Sequence, residues 1–248
     1  MYDPSVMLHR VDDHVALTLL LGGVALICNY VFFYEAARLA RRDRCVPFLP
    51  IATTLWFAHD ASYLIRAHTW FHTYHHWFAE LFWVALLLTF SFEVIYLVQT
   101  VRYGRDELAP RLSERAYLLY IAGAAALGVV LWAITKATLD DPLYLVAFLF
   151  TAVWALVSNV ALAARRGTRR GQSPLQWIAF TGMVASYALA AIIVFGGPFR
   201  HAPWIAMCVA GVLGGIGMTI WASRAPAYSP DGDERRNRTA KARELARS

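Results

Sequence analysis

Apolar residues in this chain come in long blocks, each close to the roughly 20 residues that an α-helix needs to cross a hydrocarbon core about 30 Å thick. Seven blocks predict seven spans, over residues 16–37, 46–65, 77–101, 116–135, 143–164, 174–195 and 203–222. In lipid every backbone polar group must be satisfied within the protein, which leaves helices as the structure for blocks of this length. Of 248 residues, 58% are hydrophobic and 16% charged, and the connections are too short to hold a soluble domain. The expected fold class is therefore all-α: a polytopic membrane protein with one seven-helix transmembrane domain over residues 1–224. The first block is too long for a cleaved signal peptide, and the residues before it are acidic rather than basic.

The net charge of +6 does not point to nucleic acid, because the basic residues are sorted by loop. All but four of the 23 Lys and Arg fall in alternate loops and the C-terminal segment; the exceptions are Arg10, Arg66, Lys136 and Arg200. The positive-inside rule then predicts an outer N-terminus and a cytoplasmic C-terminus, which requires an odd number of spans. Residues 225–248 read as a disordered basic tail beside anionic headgroups. The expected location is a bacterial plasma membrane, with the lipid bilayer as the first partner.

Ionisable residues within the blocks are the best guide to function, since a charge at the centre of a bilayer costs about 2.5–3.5 kcal/mol even on insertion scales. Asp60 lies next to His59 in the second block, and Glu80 and Glu93 lie in the third. Counting from the block ends places Asp60 and Glu80 in one outer layer and Glu93 nearer the midplane. Trp56, Asp60 and Tyr63 share one helical face, as do His76, Glu80, Trp83 and Leu87, and also Thr89, Glu93 and Tyr96. A carboxyl in low dielectric favours its neutral form and can donate a proton. Aromatic faces stabilise a neighbouring cation by about 0.5–2 kcal/mol each. Acid and rings together suit carbocation chemistry. The bland alternative is that Asp60 pairs with His59 or Arg66 and that the rings belong to an interfacial belt.

Other features carry less. All eight histidines fall on the predicted outer side, and His72, His75 and His76 resemble a single histidine box. One box does not make a di-iron site, so solvated loop histidines are expected and no metal site is assigned. Cys28, Cys45 and Cys208 are too scattered for a disulfide framework. Gly211, Gly214, Gly215 and Gly217 give the last span small faces for close packing. A retinal Schiff base is excluded because that span contains no lysine.

Several short motifs resemble one family. Asn29-Tyr30 in the first span, Pro47-Phe48-Leu49-Pro50-Ile51 at the entry to the second, and His59-Asp60-Ala61-Ser62-Tyr63 within it are similar to the integral-membrane terpene cyclases of fungal meroterpenoid pathways and their bacterial relatives. Phe92 to Gly104 and Gly171-Gln172-Ser173-Pro174-Leu175-Gln176-Trp177 extend the likeness over most of the chain. The family's second acid, in the last span, has no counterpart here, where Gly214, Gly215 and Met218 stand. The resemblance implies acid-initiated cyclisation of a polyprenyl or prenylated lipid-soluble substrate, without metal or other cofactor, downstream of a prenyltransferase. Asp60 would be the general acid, tuned by His59. Trp56, Tyr63, Trp83, Asn29 and Tyr96 would shape the cavity, and Glu93 or Glu80 would replace the missing acid. The rival classes are a small-molecule transporter and a histidine-rich sensor of pH or metal. No matched polar positions between spans one to three and five to seven mark the internal repeat of a transporter.

Overall fold

The computed structural model describes residues 2–229. Among these residues there is no strand, and eight α-helices carry the fold: α1 (Pro4–Asp13), α2 (Val15–Asp43), α3 (Pro50–Leu64), α4 (Trp77–Leu108), α5 (Glu114–Leu139), α6 (Leu145–Arg166), α7 (Pro174–Ala190) and α8 (Ala202–Arg224). Short π-helical turns, Thr69–Tyr74 and Ala191–Phe195, lie before α4 and after α7. Six helices are long and apolar enough to cross a membrane: α2, α4, α5, α6, α7 with its π-helical turn, and α8. The chain is a helical membrane protein.

The exception is α3. The expected span over residues 46–65 forms a helix of 15 residues, short of the other six. Two prolines explain the late start. Pro50 occupies the first turn, where its missing N–H is not needed, and it holds Leu49 extended at φ −61°, ψ 142°. The backbone ahead of it is satisfied by side chains instead of helix bonds. Val46 N donates to Glu107 Oε2 at 2.7 Å, Val46 O accepts from Arg166 at 2.7 Å, and Leu49 N donates to Ser158 Oγ at 2.6 Å. Irregular backbone of this kind survives in the interior because protein side chains surround it.

α3 is the inner element of the bundle, packed against α4, α5 and α6. Its approach to α5 is close enough to require glycine: a Cβ on Gly128 would lie 2.8 Å from Thr54 Cβ and 2.9 Å from its carbonyl carbon. α2 packs chiefly on α7, and α7 on α8. Gly211, Gly214 and Gly215 of α8 meet Val184, Leu156 and Thr181, as small faces should, while Gly217 faces open space.

Side-chain ties close both ends. At the N-terminal end Arg10 donates to Phe195 O at 3.0 Å, Tyr2 OH donates to Asp141, and Asp12 accepts from Trp77 Nε1 at 2.8 Å. The Trp77 bond holds the Asp12 carboxyl below its ordinary range. At the opposite, arginine-rich end, Gly171 N donates to Asp43 Oδ2 at 2.8 Å and Arg170 donates to Arg44 O at 2.9 Å. The tail expected to be disordered begins by packing: Arg169 N donates to Pro226 O at 3.1 Å. Residues 230–248 of that tail lie outside the described residues.

Arg166 and Glu107 form an ion pair at 2.7 Å, both almost fully buried. Removing one partner of such a pair strands the other charge. Arg166→Met should therefore destabilise the fold by about 3–5 kcal/mol in a detergent unfolding titration. Adding Glu107→Leu should recover only part of that loss, because the Val46 N–H and carbonyl then stay without partners. A single variant with wild-type stability would show that the pair does not hold the entry to α3.

Candidate functional site

Helical spacing on five elements converges on one small cavity of about 30 Å³, room for a single water. From α2 come Asn29, Phe32 and Phe33. From α3 come Trp56 and Asp60, and from α4 Leu86, Thr89 and Glu93. Phe148, Thr151, Ala152 and Ala155 form the i, i+3, i+4, i+7 face of α6, and Met183 of α7 completes the lining.

The meeting of the two acids follows from helix direction. Helical side chains lean toward the N-terminus of their own helix, and α3 and α4 are antiparallel. Asp60 therefore leans toward the arginine-rich end and Glu93 toward the N-terminal end, so their carboxyls close on each other from different depths. Trp83 Nε1 donates to Leu64 O at 3.1 Å, which sets the last residue of α3 level with the second turn of α4. Counting inward from the outer ends of the spans misses this. The chain continues past α3 through the π-helical turn before α4 begins, so Asp60 lies deeper than Glu80 and belongs with Glu93.

The two acids have different environments. Asp60 Oδ1 meets Nδ1 of His59 at 2.6 Å, both side chains being buried. The imidazole edge packs against Trp132 at 4.7 Å and Tyr144 at 5.6 Å, which fixes the ring, while its Nε2 has no hydrogen-bond partner among the described residues. Glu93 has no such support: its Oε2 is buried without a hydrogen-bond partner among the described residues. Around them stand rings whose orientation is set by polar ties at their rims. Trp56 Nε1 donates to Thr151 O at 2.6 Å, and its ring meets Phe33 and Phe48 edge-on.

Four sequence-predicted residues, Asn29, Trp56, Asp60 and Glu93, thus line one cavity, and His59 touches it through Asp60. The others stand elsewhere. Tyr96 lies beneath the wall, its hydroxyl on Phe33 O at 2.7 Å. Tyr63 pins α3 to α4 through Ala79 O at 3.2 Å and stacks on Trp70 at 4.1 Å. Trp83 caps the end of α3. Glu80 sits at the N-terminal end with His75 at 3.4 Å, about 20 Å along α4 from Glu93 at 1.5 Å per residue. His68 and His72 lie with ring centroids 4.8 Å apart and His76 meets Asp12 at 3.1 Å, but among the described residues no group of three or more His, Cys, Asp or Glu could hold a metal ion. The α6 face was not singled out from sequence. Its signal was the periodic small and hydroxyl residues Thr151, Ala152 and Ala155 beneath Phe148.

No family model, curated protein or solved structure matches this chain. The fold and cavity define a helical membrane protein with two acids buried in an aromatic chamber.

A buried polar atom without a partner costs about 1–3 kcal/mol. Glu93→Met, which keeps the volume and removes that cost, should raise the melting temperature in detergent. Asp60→Leu should lower it, because His59 then loses its partner. The opposite order would show that Glu93 is paired and that the His59 contact is dispensable.

Proposed function

We propose that the protein is a membrane-embedded cyclase of the terpene-cyclase type, in which Asp60 protonates a polyprenyl or prenylated lipid-soluble substrate to start ring closure. The observation that carries this reading is the shared cavity of Asp60 and Glu93, walled by Phe32, Phe33, Trp56 and Phe148. Asp60 delivers its proton to a terminal alkene carbon or epoxide oxygen, and the electron pair of the next double bond forms the new carbon–carbon bond. Ring faces stabilise the cation as it migrates. Loss of a proton from a neighbouring carbon ends the sequence, with the Glu93 carboxylate as its acceptor. Between turnovers Glu93 releases that proton to solvent and Asp60 takes one up from solvent, so the pair takes the role for which the last span has no acid. His59 holds the Asp60 carboxyl in place through Nδ1.

We further infer seven crossings, α3 being the seventh, with the N-terminus outside and the C-terminus cytoplasmic in a bacterial plasma membrane. This reading draws on the arginine-rich connections after α2, α4 and α6, which lie at one end with the end of α8. It also draws on the satisfied backbone at residues 46–49, which lets a short helix serve as a span. The expected metabolic neighbour is a prenyltransferase that supplies the substrate.

A second reading, a cation-coupled transporter, is favoured by the cavity's water-like size and by its Asn29, Asp60, Thr89 and Glu93 lining. It predicts sodium- or proton-dependent solute uptake into proteoliposomes. The cyclase reading predicts no uptake and a cyclised product in membranes given prenylated substrate. In that assay Asp60→Asn should lower turnover by about 10²–10⁴-fold, the usual contribution of a general acid. Glu93→Gln should lower it less. Unchanged product formation by Asp60→Asn would remove the acid assignment.

A further inference from the structure

A second cavity, of about 130 Å³, lies between α2 and α4 toward the N-terminal end, with walls almost wholly of carbon. Leu19 and Leu81 at its rim are about half exposed, so it opens on the lipid-facing surface. The helices that form this groove run on into the acid cavity. Thr18, Gly22 and Ala25 lie in the groove and Asn29, one turn further along α2, lines the acid cavity. That stripe is about 16 Å long at 1.5 Å per residue. On α4, Ala85 ends the groove and Leu86 begins the cavity.

One residue is common to both linings, Phe148. Its ring lies 5.7 Å from Phe82 and 4.9 Å from Tyr187. Tyr187 is tied to Leu145 O at 2.5 Å, whereas Phe148 is held by ring contact alone and can turn without breaking a hydrogen bond. A second observation concerns Thr18, at the other end of the groove. Its hydroxyl is buried and has no hydrogen-bond partner among the described residues, although helical threonines ordinarily bond back to a preceding carbonyl.

We propose that this groove binds the isoprenoid chain of the substrate tail first. The polar head rests at Thr18 beside Trp77, and the terminal double bond passes Phe148 to reach Asp60. The chain thus reaches the acid from lipid, and the small acid cavity need accept only its reacting tip once Phe148 turns aside. The proposal rests on the reading of Asp60 as the initiating acid, but binding in the groove can be measured apart from chemistry.

Gly22 and Gly23 make that possible. Both line the groove, and an added Cβ at either meets nothing within 4 Å, so a leucine there starts without a clash and takes up groove volume. Leucine also favours the helix. The full chain in lipid nanodiscs is irradiated with a geranylgeraniol analogue carrying a diazirine beside its hydroxyl, and adducts are mapped by mass spectrometry. Adducts are expected on residues 18–22 of α2 and 77–81 of α4, where the head rests, competed by unlabelled geranylgeraniol. They should be lost in Gly22→Leu and Gly23→Leu and retained in Asp60→Asn. Labelling that a diazirine phosphatidylcholine reproduces, or that geranylgeraniol does not compete, would mean ordinary lipid fills the groove and would overturn the proposal. Retained labelling with unchanged product formation by Asp60→Asn would instead remove the acid assignment and leave the groove standing.

Discussion

The backbone at residues 46–49 is non-helical and largely buried in the protein, and the rest of the structure depends on how its polar groups are met. Glu107, Arg166 and Ser158 supply the missing hydrogen bonds from α4 and α6. With the entry clamped, α3 begins at Pro50 instead of at the surface. At the other end of this 15-residue helix, Leu64 is fixed against Trp83. These two anchors set the depth of Asp60, and the antiparallel lean of side chains brings Glu93 to it. A buried ion pair is poor evidence for net stability, since apolar residues of similar volume often do as well. Here it carries directional bonds to both backbone groups of one residue, Val46, which an apolar pair cannot make.

The cavity is rigid on most sides and loose on one. Trp56 is fixed by its bond to Thr151 O, and His59 is wedged between Trp132 and Tyr144. Glu93 is held in the apolar interior at a cost to the fold. Carboxyls kept in such a place against stability are where function is expected, because selection tolerates the loss only for a gain in activity. Phe148, held by contact alone, is the wall through which a chain from the lipid side can pass.

Much of this was legible in the sequence, and the failures have a common cause. Apolar block lengths located the long helices, and the helical faces picked out Trp56 with Asp60 and identified Glu93 as an acid needing explanation. Depth was misread because it was counted from block ends, as though each block were one helix reaching the surface. Pro47 and Pro50 shorten α3 from one side, and the π-helical turn Thr69–Tyr74 displaces the chain on the other. That error grouped Asp60 with Glu80, and it placed Tyr63 and Trp83 on the cavity wall when they fasten α3 to α4. The wall contributed by α6 was missed because Phe148, Thr151, Ala152 and Ala155 are individually unremarkable. Only the convergence of five helices gives them meaning, and pattern within one segment carries no information on which faces meet.

The proposed reaction begins with a proton that leaves Asp60 for carbon or oxygen of a lipid-soluble chain. Running the reaction in deuterium oxide with an alkene-terminated prenylated substrate tests that transfer directly, because the new carbon–hydrogen bond records the origin of its proton. The account predicts a cyclised product carrying one solvent deuterium at the initiating carbon, formed by the wild-type chain and by Glu80→Gln but lost in Asp60→Asn. A cyclised product free of deuterium, or one labelled equally in Asp60→Asn, would contradict it.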